Sequence, residues 1–174
     1  MTYNKNIALI GLMGAGKTSV GKLLAKNLGY NFIDIDDLIE LKEKMKISEI
    51  FKIRGENYFR QIETQTIKDF SKNSNQVIST GGGAPQNPDN LKTLKSSCFV
   101  VYLYAPVTVL YERLLNEIDN RPMLHTENPK QKLHELLEKR EPYYLKADIK
   151  VDTANKTPGE VVSDIIACFS GGNV

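Results

Sequence analysis

Residues Gly11-Leu-Met-Gly-Ala-Gly-Lys-Thr18 match the phosphate-binding pattern G-x-x-x-x-G-K-S/T at every fixed position. An apolar, β-rich run precedes them at residues 6–10, and helical spacing follows at residues 19–28, which is the strand–loop–helix order that the pattern needs. Glycines let backbone N–H groups turn toward a polyphosphate, and the helix N-terminus adds partial positive charge. The stretch therefore predicts a nucleotide site. The alternative, a glycine-rich turn before a helix, does not account for the matching flanks.

Two side chains of this loop predict separate contacts, one to the phosphates and one to a metal ion. Lys17 has the reach to contact the β- and γ-phosphates, and the Thr18 hydroxyl is suited to ligating Mg²⁺. The predicted contacts to the nucleotide phosphates are Gly14, Ala15, Gly16, Lys17, Thr18 and Ser19.

Length and composition fit one soluble domain, residues 1–174, with 41% hydrophobic and 25% charged residues. The 23 basic and 21 acidic residues leave a net charge of +2, and no lysine- or arginine-rich run occurs. This balance argues against a nucleic-acid partner. No apolar stretch has signal or transmembrane length, so we expect no membrane partner and a cytoplasmic location.

The cysteines and histidines predict no metal or disulfide chemistry. Cys98 and Cys168 fall in apolar elements far apart in sequence, and buried free thiols in a reducing cytoplasm are favoured over a disulfide. His125 and His134 stand alone, as surface or loop histidines do.

Apolar β-like runs alternate with helical patterns along the chain, which indicates an α/β sandwich with a mostly parallel sheet. The predicted strands are 6–10, 31–34, 76–79, 97–104 and 148–152. The predicted helices are 19–28, 37–44, 47–53, 57–70, 90–95, 107–115, 129–145 and 158–169.

The polar segment 117–128 interrupts this alternation. A connection of this length in a compact domain is often a lid or binding loop. Arg121 lies within it, and in a protein that handles phosphate a lid arginine suits neutralising a transferring phosphoryl group. The alternative is a solvated loop with an incidental arginine.

Two carboxylates, Asp34 and Asp36, follow the second predicted strand, where ligands of open α/β sheets bind. One is suited to holding Mg²⁺ through water, and the other to meeting an acceptor hydroxyl. From spacing alone, capping of the next helix by Asp36 or Asp37 is equally consistent with the sequence.

Two further groups of residues point to a ligand. Arg60 and Glu63 are three apart on a predicted helix, so the glutamate is placed to orient the guanidinium, although such surface pairs are common. The run Gly81–Gly83 follows the third strand, and three glycines there let a ligand approach the backbone closely.

Taken together, these motifs resemble the shikimate kinase family and cover the chain from first strand to last. The shared elements are the phosphate loop 11–18, Asp34-x-Asp36, Gly55-Glu-x-x-Phe59-Arg60-x-x-Glu63, Gly81–Gly83, Arg121-Pro122-Met-Leu124 and Arg140-x-Pro142-x-Tyr144. The resemblance implies a nucleoside-monophosphate-kinase type of P-loop fold with five parallel strands. It implies phosphoryl transfer from ATP to the 3-hydroxyl of shikimate, in aromatic amino-acid biosynthesis. It also implies a substrate-binding segment at about 34–63, a lid at about 117–128, and a monomer.

The resemblance also assigns roles. Asp36 acts as base or orienting group, Arg60 and Arg140 hold the substrate carboxylate, and Gly82 offers a backbone N–H. Phe51 and Phe59 form aromatic walls, for which a purely structural role is nearly as well supported. The remaining implied roles are Asp34 with Thr18 at Mg²⁺, Lys17 with Arg121 at the transferring group, and Arg113 with the 152–158 segment beside adenine. Lys156 stands where some members have an adenine-stacking arginine.

Two alternatives remain at the level of sequence. A gluconate- or nucleotide-kinase relative would share the phosphate loop without needing Arg60, Arg140 and the triple glycine together. A non-catalytic ATP-binding regulator would keep the loop, but the joint presence of Lys17, Asp36 and Arg121 argues against lost chemistry.

Overall fold

The computed structural model describes residues 5–115 and 122–171, which form a five-stranded parallel sheet in the order β2-β3-β1-β4-β5. This confirms the parallel α/β architecture expected from the alternating pattern. The strands are β1 Asn6–Ile10, β2 Asn31–Asp34, β3 Gln76–Ser79, β4 Cys98–Tyr104 and β5 Ile149–Asp152.

Helices connect the strands and cover the sheet. They are α1 Lys17–Leu28, α2 Ile35–Glu43, α3 Ile47–Phe70, α4 Pro88–Ser97, α5 Val107–Leu114, α6 Pro129–Tyr144 and α7 Pro158–Gly171, with 3-10 turns at Ala84–Gln86 and Pro122–Leu124.

Several predicted helix bounds differ from the structure, since α1 and α2 each begin two residues before their predicted starts at 19 and 37. The helices expected at 47–53 and 57–70 run together as α3 across a kink at Gly55, where φ is 82° and ψ is 167°. The helix expected at 90–95 begins two residues earlier, because the Asn87 side chain caps it by accepting from the Asp89 N–H at 2.9 Å.

The core lies around the central strand β1, whose five residues are all buried. Its parallel pairing with β3 and β4 places Leu9 opposite both Ser79 and Val101. Because every strand runs the same way, the carboxyl ends of β1, β2 and β3 lie at one edge of the sheet. The phosphate loop, the aspartate pair and the glycine run follow these three ends.

The two cysteines are free, as expected, but only Cys98 is buried. The expectation that Cys168 is buried was wrong: it is exposed, at the edge of the stripe through which Val162, Ile165 and Phe169 pack on the sheet. His125 and His134 are exposed. Within the described ranges, no helix combines the length and apolarity needed to cross a membrane.

Candidate active site

The phosphate loop has the backbone geometry that its glycines predicted. Gly11 has a φ of 143°, and a Cβ there would lie 2.4 Å from the Leu103 carbonyl oxygen, so only glycine fits. Gly16, at a φ of 92°, is the N-cap of α1 and has no side chain with which to cap it. The Lys17 ammonium donates to the carbonyls of Gly11 at 2.9 Å and Leu12 at 3.1 Å, which holds this charge inside the loop.

The two residues predicted at Mg²⁺ come together. Thr18 Oγ1 donates to Asp34 Oδ2 at 3.4 Å. Thr18 lies in the first turn of α1, and Asp34 is the last residue of β2. Among the described residues, no group of three His, Cys, Asp or Glu side chains is arranged to hold a metal. A hydroxyl beside a carboxylate nevertheless fits Mg²⁺, which usually keeps several waters and binds one or two protein oxygens plus substrate phosphates.

Asp34, rather than Asp36 or Asp37, caps α2. Its Oδ1 accepts from the Asp36 N–H at 3.1 Å, so the capping role considered for Asp36 and Asp37 was wrong. The reason is geometric. Asp34 has extended backbone at the end of β2, as an N-cap requires, whereas Asp36 and Asp37 already lie in the first turn of the helix. Asp36 is thereby left for another role.

Asp36 is a half-buried residue whose carboxyl is suited to accepting a proton. Burial first, then the neighbouring carboxylates Asp34 and Glu63, raise its pKa to about 7, against the opposing effect of Lys17 and Arg60. Its Oδ1 is buried and lacks a hydrogen-bond partner within the described parts of the chain. A general base works best with a pKa near the working pH and a free oxygen, and Asp36 has both.

Arg60 and Glu63 form the predicted pair on α3. Arg60 Nη1 lies 2.8 Å from Glu63 Oε2, and its Nη2 lies 3.1 Å from Glu56 Oε1. Glu63 is fully buried, and burial raises its pKa while Arg60 opposes that rise. The buried carboxylate therefore fixes the guanidinium, and the positive charge of Arg60 is largely compensated.

The two phenylalanines lie beside this pair. The rings of Phe51 and Phe59 are 4.8 Å apart, and the Arg60 guanidinium carbon lies 5.2 Å from the centre of the Phe59 ring. Phe59 is buried and Phe51 is partly exposed, so Phe59 supports the core as well as the site.

Arg140 on α6 has a different environment from Arg60. Arg140 is only 4% exposed to solvent. Its Nε donates to Gln86 Oε1 at 3.2 Å and its Nη2 to Met123 Sδ at 3.9 Å, and both acceptors are neutral. Within residues 5–115 and 122–171, no carboxylate lies within ion-pair distance of it, although the Arg140 charge is close enough to oppose the rise in the pKa of the buried Glu63. A buried guanidinium without an ion-pair partner of its own is a candidate site for an anion.

The glycine run makes room for the site's own side chains, a role that the sequence did not suggest. A Cβ on Gly81 would lie 2.9 Å from Asp36 Oδ1, and one on Gly82 would lie 3.1 Å from Arg140 Nη1. One on Gly83 would lie 2.8 Å from Arg60 Nη2. The predicted base and both arginines therefore converge on three consecutive residues.

On the other side of the phosphate loop, Arg113 joins two predicted nucleotide-binding segments. Its Nη1 donates to the Gly14 carbonyl at 3.2 Å, and its Nη2 donates to the Thr153 carbonyl at 2.6 Å. Lys156 instead makes a surface ion pair with Asp164 at 2.8 Å. Arg113 thus fixes the loop against the 152–158 segment.

Residues 117–121 of the predicted lid, which include Arg121, lie outside the described residues. Sequence reasoning missed Gln86 as a residue of the site, because it acts through a partner 54 residues away and no local pattern marked it. It included Met123 and Thr153 only within the longer segments 121–124 and 152–158, without a role of their own.

Comparisons with known proteins agree with this geometry. The family model described as shikimate kinase matches residues 13–170. A shikimate kinase of Thermodesulfovibrio yellowstonii is 50% identical over 162 residues, which is 93% of each chain. A structure of shikimate kinase from Acinetobacter baumannii in complex with shikimate aligns with a TM-score of 0.93 and 38% identity, covering 98% of this chain and 96% of that one. A gluconokinase from Sinorhizobium meliloti, at 22% identity, a TM-score of 0.67 and coverage of 98% and 94%, shares the fold alone.

Proposed function

The chain belongs to the shikimate kinase family, and we propose on that premise that it transfers the γ-phosphoryl group of ATP to the 3-hydroxyl of shikimate. Its fold is the nucleoside-monophosphate-kinase type of P-loop fold shared by that family. The reaction yields shikimate 3-phosphate and ADP, in aromatic amino-acid biosynthesis. The two alternatives considered from sequence, a gluconate-type kinase and a non-catalytic regulator, have no observation in their favour.

The observation that carries the proposal is the Asp36 carboxyl, whose Oδ1 is buried in the site. Its pKa of about 7 and its unpartnered Oδ1 suit acceptance of the proton of an attacking hydroxyl. In the proposed step the 3-oxygen of shikimate forms a bond to the γ-phosphorus as the bond to the β,γ-bridging oxygen breaks. The hydroxyl proton passes to Asp36, and Lys17 stabilises the charge on the phosphates.

Recognition of shikimate is assigned to its carboxylate and its ring. Arg140, which is buried and donates to neutral acceptors, supplies one positive charge, and Arg60 supplies a second guanidinium already oriented by Glu63. Gly82 offers its backbone N–H, while Phe51 and Phe59 flank the ring. These roles are supported by the convergence of Asp36 and both arginines on Gly81–Gly83.

The nucleotide would be bound by the phosphate loop, including Gly14 to Ser19, with Arg113 and Lys156 near the adenine. Thr18 and Asp34 would hold Mg²⁺, which when bound neutralises charge on the β- and γ-phosphates. Arg121 would complete the site from the lid at 117–128. We further propose that residues 1–174 act as one domain, in a cytoplasmic monomer.

Coupled measurement of ADP release with a panel of acceptors tests this function. We expect release that depends on shikimate, with little on gluconate, on nucleoside monophosphates or on ATP alone. Turnover of gluconate in preference to shikimate would replace the substrate assignment. ATP binding without turnover on any acceptor would support the non-catalytic regulator.

A further inference from the structure

Gln86 contacts the guanidinium of Arg140, and this contact has no part in the proposed reaction itself. The two residues are 54 positions apart, and the Gln86 Oε1 accepts a hydrogen bond from the Arg140 Nε at 3.2 Å. With Nε occupied in this way, Nη1 and Nη2 remain as a pair of parallel donors. Nη2 donates to the Met123 sulfur at 3.9 Å, a weak acceptor that a carboxylate oxygen would readily replace, and the Tyr144 hydroxyl also interacts with the Arg140 side chain.

Gln86 is held in place by its backbone. It ends the 3-10 turn that starts at Ala84, and its N–H donates to the Gly83 carbonyl at 3.1 Å. The Asn90 side chain donates to the Ala84 carbonyl at 3.1 Å and ties the turn to α4. The amide oxygen of Gln86 is therefore presented from a fixed turn rather than from a free loop, which suits orienting another side chain.

The neutral charge of the amide is the decisive property. An acidic side chain at this position would bond the guanidinium more strongly and would also compensate its charge. Arg60 shows that outcome, since two glutamates lie against it. An amide orients Arg140 and leaves its positive charge for an incoming anion.

We propose that Gln86 is a positioning residue for substrate recognition, fixing Arg140 by its amide oxygen while sparing the charge that binds the shikimate carboxylate. The proposal rests on the proposed carboxylate clamp by Arg140. It deepens that function, because it says what sets the affinity for the acid group.

Two substitutions of Gln86 separate positioning from a structural role. Gln86→Leu removes the acceptor and should weaken shikimate binding by roughly threefold to tenfold. Gln86→Glu keeps the shape and strengthens the bond, yet should weaken shikimate binding by roughly tenfold to a hundredfold, because its carboxylate competes with that of the substrate. In both variants kcat and the dissociation constant for ATP should change little. Titration calorimetry with shikimate and with ATP, together with steady-state kinetics, measures these quantities.

Controls keep the outcomes distinct. Gln131→Glu, at an exposed position in the first turn of α6, adds the same charge and should leave shikimate binding unchanged. Thermal unfolding should show Gln86→Glu at least as stable as Gln86→Leu.

Shikimate affinity in Gln86→Glu equal to or above that of Gln86→Leu would overturn the proposal, because a purely structural contact favours the glutamate. If Arg140→Ala binds shikimate normally, the clamp itself fails. If Arg140→Ala binds weakly while Gln86→Glu binds normally, only the role of Gln86 fails.

Discussion

At the scale of single residues, the site depends on how burial changes the chemistry of ordinary side chains. Asp36 is a common carboxyl whose pKa is raised to about 7 by burial and by its acidic neighbours Asp34 and Glu63. Arg60 and Arg140 are the same residue type, but Arg60 forms ion pairs with two glutamates, whereas Arg140 donates its hydrogen bonds to neutral acceptors. Identical functional groups therefore acquire different electrostatic properties from their surroundings.

Asp36→Asn should lower kcat by roughly 10²–10⁴-fold, because an amide cannot accept the hydroxyl proton. In the unsubstituted enzyme the carboxylate form is the active one, so kcat/KM should rise with pH up to about 7 and level above it. Steady-state kinetics from pH 5.5 to pH 8.5, a range set about one to two units around that pKa, measures both effects. A variant with near-normal turnover, or a wild-type profile that is flat through pH 7, would remove Asp36 from proton transfer.

At the scale of elements, the turn after β3 is built around the side chains of α2, α3 and α6. Asp36, Arg60 and Arg140 come from these three helices, and each lies about 3 Å from where a glycine of the run would carry a Cβ. The Tyr144 hydroxyl also donates to the Gly82 carbonyl at 2.6 Å, which fixes the end of α6 to the turn. A substitution in the turn should therefore alter substrate binding even though no charged residue is replaced.

Gly83→Ala tests this arrangement. Gly83 has a φ of −88°, which alanine adopts without strain, but the added Cβ would lie 2.8 Å from Arg60 Nη2. We expect Arg60 to be displaced and the KM for shikimate to rise about tenfold, with a loss of roughly 1 kcal/mol or less in unfolding free energy.

Gly159→Ala is the matched control, since its Cβ would meet only Thr157 Oγ1 at 3.9 Å. Kinetics and urea unfolding of both variants provide the comparison. An unchanged KM in Gly83→Ala would show that Arg60 moves aside without affecting substrate binding.

The lid at 117–128 remains a prediction, because Arg121 lies outside the described residues. If Arg121 stabilises the transferring phosphoryl group, Arg121→Ala should lower kcat by on the order of 10²–10³-fold. The dissociation constant for ATP should change only severalfold, because this contact belongs to the transition state. Equal losses in kcat and in ATP affinity would make Arg121 a ground-state nucleotide contact instead.

At the scale of the whole molecule, the catalytic role proposed for Asp36 and the stability of the fold have opposite requirements. Its folded pKa of about 7 lies above the ordinary value of 3.8, so the folded state holds its proton more tightly than the unfolded state does. The resulting stabilisation is fully present below pH 3.8 and is lost as the pH rises through about 7. At neutral pH and above, the ionised base destabilises the free enzyme.

Asp36→Asn should therefore be more stable than the wild type at alkaline pH, by an amount on the order of a few kcal/mol. The advantage should shrink as the pH falls toward 5, where the wild-type carboxyl is protonated in the folded state. Urea unfolding of both proteins without ligands at several pH values gives the difference. A stability difference that does not vary with pH would show that the folded state does not raise the pKa of Asp36.

The sequence by itself determined the phosphate loop and the parallel α/β sheet, because a contiguous motif and local periodicity carry them. Asp36, Arg60 and Arg140 were assigned to the site through the resemblance to the shikimate kinase family. From spacing alone, the sequence could not distinguish capping from catalysis at Asp36, because both roles suit a carboxylate at the end of a strand.

Only the tertiary structure decided the properties that depend on neighbours distant in sequence. The pKa of Asp36 is set by burial and by Glu63 on another helix. Arg140 Nε donates to Gln86, 54 residues away, and Gly83 gives room to Arg60. Electrostatic and steric effects act over a few ångströms in space, whatever the separation along the chain. These properties therefore exist only once the sheet edge has brought the residues together.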